Sequence, residues 1–491
     1  MTFDYKRDIY ETGFPVSIFK SNAKILYLIA GPVQNRDADF AFGCNSDGDI
    51  YAVGSANNKA AELFVSDSFR IAHLESPAAI TSLALVDNDG ETGNEMLVAA
   101  TGKSVYGFSL VEADNTFPDM AKQIFRVNLD HAVNSPVVYY NGKLFIGGSD
   151  RTGYSINISN PTEITALSTS SQLNDWVAGY SNFENLNTDI DYAASVALQT
   201  AGSLDLIAYQ SNANSFMFFD ENGENYNQFL IPVSLKGQFA LADLDGNGTP
   251  DIVFNSGEGI YAFNQQGSLI SGFPVKPDFG IIDSLSGAPL LIDIDGSGIP
   301  DIISTTSGGQ VLSFTEKGKS ISDFMLSTGG NLSVSPVILQ LDDDQELELM
   351  AITDQGNCYV WQLPATGGSG NEWLSENYNA SNNILINNFS AYKPVTDALM
   401  PESRAYNYPN PNKDNFTKIR YYLNENSNVK IRIFDASGLL IDEFSGPGEG
   451  QVDNEIPWDV SSVASGVYLC KIEAKSGSRS ESKIIKIMVV H

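Results

Sequence analysis

Apolar residues in this chain come in short bursts cut by Gly, Asn and Asp. Residues 237–275 set the pattern: GQFALAD, PDIVFNS, GIYAFN and SLISGFPV are four β-rich runs separated by DG, SGEG and QQG turn signals. The spacing predicts four short strands. The same rhythm returns along the chain, and its sharpest marker is an acidic comb, with polar oxygens at i, i+2, i+4 and i+8. It stands in LADLDGNGTPDIVF (241–254) and again in LIDIDGSGIPDIIS (291–304). Fainter copies begin at Asp87 in VDNDGETGNEMLVAA and at Gln340 in LQLDDDQELELMAI.

The comb serves as a ruler. From Asp87 to Asp243 is 156 residues, three steps of 52, and the gap holds two copies without acids, SPVVYYNGKLFIGG (135–148) and SVALQTAGSLDLIAY (195–209). Another weak copy, ILYLIAGPVQNRDADFAFG (25–43), opens the series, which makes seven units of about 50 residues. Four antiparallel strands repeated seven times predict an all-β chain with a seven-bladed β-propeller over residues 1–365. YETGFPV (10–16) matches LISGFPV (269–275), the end of a unit, yet precedes the first unit. It is expected to lie beside CYVWQL (358–363) as the outer strand of the seventh blade.

GGSGNEWLSENYNASNNILINN (367–388) crowds Gly, Ser and Asn as linkers do, so residues 366–402 are read as a linker. Beyond it, KIRYYL, NVKIRIFDASGLLIDEF, GVYLCKIEA and SKIIKIMVV read as strands. Lys430 and Arg432 alternate with Val429, Ile431 and Ile433. Residues 403–491 are therefore expected to form an immunoglobulin-like β-sandwich.

Composition narrows the function. The chain has 491 residues and a net charge of −32. Residues 403–491 hold 11 of the 28 basic and 11 of the 60 acidic residues, so residues 1–402 carry 17 against 49. Such a surface repels phosphate backbones and anionic membranes, which argues against nucleic acid and favours cations. No run approaches the ~20 apolar residues of a membrane span. Cys44, Cys358 and Cys470 are too sparse for a disulfide framework or a CxxC metal site and read as buried small residues. The start MTFDYKRDIYETGFPV lacks the features of a secretory signal.

Three readings of the comb compete: catalytic carboxylates, metal ligands, or a solvated turn. General acid–base pairs need carboxylates in different environments, whereas repeated loops give each comb the same one. Histidine is limited to His73, His131 and His491, and no GxSxG, HExxH, P-loop or dinucleotide-binding motif appears. Carboxylate and amide oxygens at alternate positions, with a Gly at i+5 in the two best copies, wrap around one point as calcium loops do. A strand follows at once, so the loop is not an EF-hand. Tyr139, Tyr140, Trp176, Tyr180 and Trp361 either stack on a sugar or fill cores between blades.

The DxDGxGxPDI loops followed by IYAF and GFPV resemble the FG-GAP (VCBS-type) repeats of integrin-α-like propellers. The resemblance implies Ca²⁺ at two to four sites. Its ligands would be Asp243, Asp245, Asn247 and Asp251 with the Thr249 carbonyl, and Asp293, Asp295, Ser297 and Asp301 with the Ile299 carbonyl. Asp87, Asp89, Glu91 and Glu95 form a third set. Gln340, Asp342, Asp344 and Glu348 form a weaker fourth, since Gln340 is neutral.

At the C-terminus, YPNP (408–411), VKIRIFDASG, IPWD, VASGVYLCKIEA and KIIKIMVV resemble, in order, the type A sorting domain of the type IX secretion system of Bacteroidetes-related bacteria. Pro409, Asn410, Pro411, Gly466, Tyr468 and Lys483 match its recurring positions. The resemblance implies export to the medium or the outer-membrane surface, and contact with the translocon and its sorting protease. The missing signal segment is then expected to have been trimmed or omitted. The expected function is a non-catalytic binding or adhesion module for an extracellular glycan or protein. The alternative is part of a secreted hydrolase or polysaccharide lyase whose N-terminal region is missing.

Overall fold

The computed structural model describes residues 14–19, 23–56, 59–64, 69–75, 77–78, 81–87, 89, 93–111, 121–133, 135–148, 153–167, 192–200, 203–210, 213–220, 225–277, 284–342, 346–365, 372–383, 385–387, 399–400, 405–408, 412, 416–450, 452–477 and 479–490. Two compact units emerge, Met1–Ile294 with Ile299–Lys393, and Pro394–His491 with Asp295–Gly298. Every regular element among the described residues is a strand, so the chain is all-β. No helix among them is long and apolar enough to cross a membrane.

Among its described residues the N-terminal unit holds seven sheets, each built on antiparallel strands that follow one another in the chain, to which one early strand and one late parallel strand are added. Their first strands are Ile25–Pro32 (sheet 1), Thr81–Val86 (sheet 2), Val138–Tyr140 (sheet 3), Tyr192–Thr200 (sheet 4), Leu235–Ala242 (sheet 5), Leu285–Ile292 (sheet 6) and Val337–Leu339 (sheet 7). The sequence repeat falls on these sheets. In sheet 5, however, the expected fourth run is not a regular strand. It meets Ile260–Phe263 only through the isolated bridges Ile260↔Val275 and Phe263↔Leu269. Pro274 has no N–H to give a ladder, and Gly272, at φ 100°, turns the backbone out of strand conformation.

Strands such as TSLALV are buried at every position, because each face packs on a different neighbour. Leu28 lies in a core shared with sheet 7, whereas Ile29 lies in a core shared with sheet 2. Likewise Leu291 joins the core of sheets 4 and 5, while Leu290 and Ile292 join that of sheet 7. Period-2 alternation here sorts residues between two interiors, not between core and water. The first and last sheets meet: Leu28, Ala41 and Val53 share a core with Val337, Met350 and Cys358. Residues 10–13 of the expected closing run lie outside the described residues; its last residue begins the early strand Val16–Ser17, which completes sheet 7 by pairing antiparallel through Val16↔Cys358 and Ser17↔Asn357. The arrangement is that of a β-propeller.

The linker reading of residues 366–402 needs correction over 372–387. Trp373 is fully buried and bridges Leu291, and Leu385–Asn387 is a strand parallel to Ala197–Gln199 of sheet 4. Ser and Asn, which mark linkers by composition, serve here to hydrogen-bond neighbouring backbone.

The C-terminal unit encloses one core between two antiparallel sheets. One is Ala405–Tyr408, Phe416–Leu423 and Val452–Asp459; the other is Leu440–Gly446, Asn428–Phe434, Gly466–Ser476 and Arg479–Val489. Val429, Ile431 and Ile433 point into it, as the alternation predicts, and Lys430 and Arg432 pair outside with Glu443.

Candidate metal centres

The comb of sheet 5 connects its first two strands, and its last acid, Asp251, opens the strand Asp251–Ser256. That placement fixes Asp251 by the ladder and buries it completely. Its Oδ2 accepts from Leu244 N at 2.9 Å. Asp243, also fully buried, caps the turn: Oδ1 accepts from Asn247 N and Oδ2 from Gly248 N, each at 3.0 Å. The turn can close this tightly because Gly246 and Gly248 take φ of 74° and 88°, where a side chain would be strained. One carboxylate oxygen each from Asp243, Asp245 and Asp251 then falls within 4.8 Å of the others.

This geometry is costly for a bare loop. Burial, reinforced by Asp245, pushes the Asp251 carboxyl up to about 8, and burial also raises Asp243. Asp251 Oδ1 is buried and accepts no hydrogen bond. An enclosed carboxylate oxygen beside two further acids fits a hard divalent cation, which takes oxygen ligands. Asn247 Oδ1 accepts from Thr249 N at 2.7 Å and from Thr249 Oγ1 at 2.5 Å, so in this loop it closes the turn.

Sheet 6 repeats the construction. Asp301 opens Asp301–Thr306 and accepts from Ile294 N at 2.9 Å, and Ser297 N donates to Asp295 Oδ1 at 2.9 Å. One carboxylate oxygen each from Asp293, Asp295 and Asp301 forms a second cluster within 4.8 Å, and Ser297 and Ile299 of the same loop are buried. In sheet 2 the cluster is Asp87, Asp89 and Glu95; Glu91 lies outside the described residues. The fourth set differs. Glu348 opens its strand and accepts from Leu341 N at 2.7 Å, as Asp251 does from Leu244, but Asp344 lies outside the described residues. Gln340 Oε1 accepts from Asp342 N at 3.1 Å and Gln340 Nε2 donates to Glu346 O at 3.2 Å. No group of three acids gathers there among the described residues.

Two neighbours of these loops escape sequence reading. Gln34 of sheet 1 donates to Asp89 Oδ2 at 2.9 Å, and Asp39 exchanges hydrogen bonds with the Gln340 backbone at 2.7 and 3.1 Å. Asp39 opens the second strand of sheet 1, the position Asp251 holds in sheet 5, and only that register would have singled it out.

Of the stacking candidates, Trp361 is buried, Tyr139 donates its hydroxyl to Asp87 O at 2.5 Å, and Tyr140 is exposed; Trp176 and Tyr180 lie outside the described residues. The three cysteines are buried and free, as expected. His73 pairs with Asp49 at 2.9 Å. Pro409, Asn410 and Pro411 lie outside the described residues. Gly466 opens an exposed strand end, Tyr468 is buried and donates to Ala464 O at 2.7 Å, and Lys483 stands opposite Ile472.

Residues 407–487 match the family described as the secretion system C-terminal sorting domain. The C-terminal unit therefore carries a sorting domain. No curated protein matches the chain. Among solved structures, the chain is similar to BBS1N in complex with ARL6DN, at 13% identity and TM-score 0.48, covering 74% of this chain and 99% of that one. It is similar to Sqt1 of Saccharomyces cerevisiae, at 11% identity and TM-score 0.48, with coverage of 72% and 100%. It is also similar to the β-propeller domain of Cps50 (Swd1) from Myceliophteria thermophila, at 13% identity and TM-score 0.41, with coverage of 71% and 98%.

Proposed function

We propose that the N-terminal unit is a seven-bladed, FG-GAP-type propeller whose acidic loops hold Ca²⁺, and that it works outside the cell as a non-catalytic binding or adhesion module. The observation that carries the metal reading is Asp251, which keeps a buried oxygen, Oδ1, without a hydrogen bond and belongs to a cluster with two more carboxylates. Asp243, Asp245 and Asp251 would hold one ion, Asp293, Asp295 and Asp301 a second, and Asp87, Asp89 and Glu95 a third. The Gln340 loop would be the weakest. Bound Ca²⁺ supplies positive charge that offsets carboxylate repulsion and pins the hairpin between the first two strands.

The sorting domain supports export through the type IX system to the medium or the outer-membrane surface, with the translocon and its sorting protease as partners. We read this unit as an immunoglobulin-like sandwich, supported by buried Trp458 edge-on to Tyr468 at 5.6 Å. Export and calcium fit each other, since extracellular modules bind Ca²⁺ with Kd of roughly 10⁻⁴–10⁻³ M, near the level outside cells. At about 1 mM Ca²⁺ each site would add roughly 0.4–1.4 kcal/mol by binding only the folded state. EDTA is expected to lower the melting temperature and excess Ca²⁺ to restore it; an unchanged melt overturns the metal reading. Asp243→Ala should abolish one binding event in a Ca²⁺ titration and leave the others.

A further inference from the structure

The described residues 373–383 and 385–387 run past the first strands of the sheets in ring order. Trp373 exchanges both backbone hydrogen bonds with Leu291 of sheet 6, each at 3.0 Å, and Leu374 O accepts from Ile338 N of sheet 7 at 2.8 Å. Asn377 Nδ2 donates to the Tyr27 hydroxyl of sheet 1, which donates in turn to Asn382 Oδ1 at 2.9 Å. Ala380 O accepts from Leu85 N of sheet 2 at 2.8 Å, and Ser381 O from Tyr139 N of sheet 3 at 3.0 Å. Leu385–Asn387 then pairs with sheet 4. At sheet 5, Gly237, with φ 69°, lies against the backbone of Gly287 and Ala288 and near the Glu376 side chain: a Cβ there would stand 2.5 Å from Ala288 N and 2.9 Å from Glu376 Oε1.

Asn382 is the tightest point. It is buried, at φ 52° in the left-handed region that Asn tolerates. Its Nδ2 donates to Leu83 O at 2.6 Å and Val137 O at 2.9 Å, while its Oδ1 accepts from Tyr27. One side chain thus ties together sheet 1, sheet 2 and the residue leading into sheet 3. The first strand of each sheet has an edge of N–H and C=O groups that its own sheet leaves unpaired, and pairing such an edge removes a liability. The amides of Leu85, Leu291 and Ile338 find their acceptors in this stretch.

We propose that residues 373–383 with 385–387 are an inner belt that locks the ring from its axis and occupies it, so that ligands of this unit are taken on its loop-bearing faces and not along the axis. The test uses the full chain carrying one specific protease site within residues 366–371 and another within 388–398, cut at both after folding and passed through a sizing column. The freed segment is expected to co-elute with the N-terminal unit and to leave only on unfolding. Asn382→Ala, uncut, should speed hydrogen exchange at the Leu85, Tyr139 and Ile338 amides at least tenfold and leave Leu97, paired within sheet 2, unchanged. Elution of the segment as free peptide, with the melt and those amides unaltered, overturns the proposal. If the variant fails to fold, the doubly cut parent chain decides alone.

Discussion

Asp251 shows how one residue carries two opposed demands. Its folded pKa stands at about 8 against an ordinary 3.8, so the folded state holds its proton more tightly than the unfolded one. Without a cation, the stability that this group contributes is therefore full below about pH 4 and is lost progressively as pH rises through about 8. A metal reverses this, because it binds the deprotonated form. Asp251→Asn should flatten the metal-free melting profile across that window and raise the melting temperature at pH 8 by a few degrees. The same change should weaken Ca²⁺ binding at its loop at least tenfold. Melts with and without EDTA at several pH values check both signs, and a substitution that shifts both states alike would refute the assignment.

At the scale of elements, the closing strand depends on what flanks it. Phe19 follows Val16–Ser17 and stacks on Tyr51 of sheet 1 at 5.0 Å, so it joins the last sheet to the first. Phe19→Ala should cost about 3 kcal/mol, read by denaturant unfolding, and a loss below about 1 kcal/mol would place Phe19 outside the closure. Much of this was legible in the chain. The comb marks where the second strands of sheets 5, 6 and 7 start, because the acid at i+8 is the first ladder residue there, and in sheet 2 it stands one residue ahead. YETGFPV declared the closing strand by repeating the end of a unit out of order. The inner belt was not legible, since its contacts are made mostly by backbone and by Asn and Ser, which read as linker. Asp39 was missed for a related reason: it keeps the register of Asp251 but lacks the rest of the comb.

For the molecule as a whole, charge and core divide at the same place. Residues 403–491 balance their charges, and Lys430, Glu443, Arg432, Glu473 and Lys471 form a paired row across three strands of the C-terminal unit. Such exposed pairs add little stability each, so that unit rests on its single core. Calorimetry is expected to resolve two transitions, of which only one moves when EDTA replaces Ca²⁺; a common shift of both would show that the units do not melt independently. The pairing of Val16 with Cys358 has a further consequence for how the chain reaches this state. The two residues are more than 300 positions apart, and contacts of such separation come late because loop closure must be met first. Until the seventh sheet exists, its outer edge and the first sheet's interior face water together. A nascent chain is then a row of open edges, and its exposure to sticking to its neighbours lasts for the interval between synthesis of the first strand and arrival of the last.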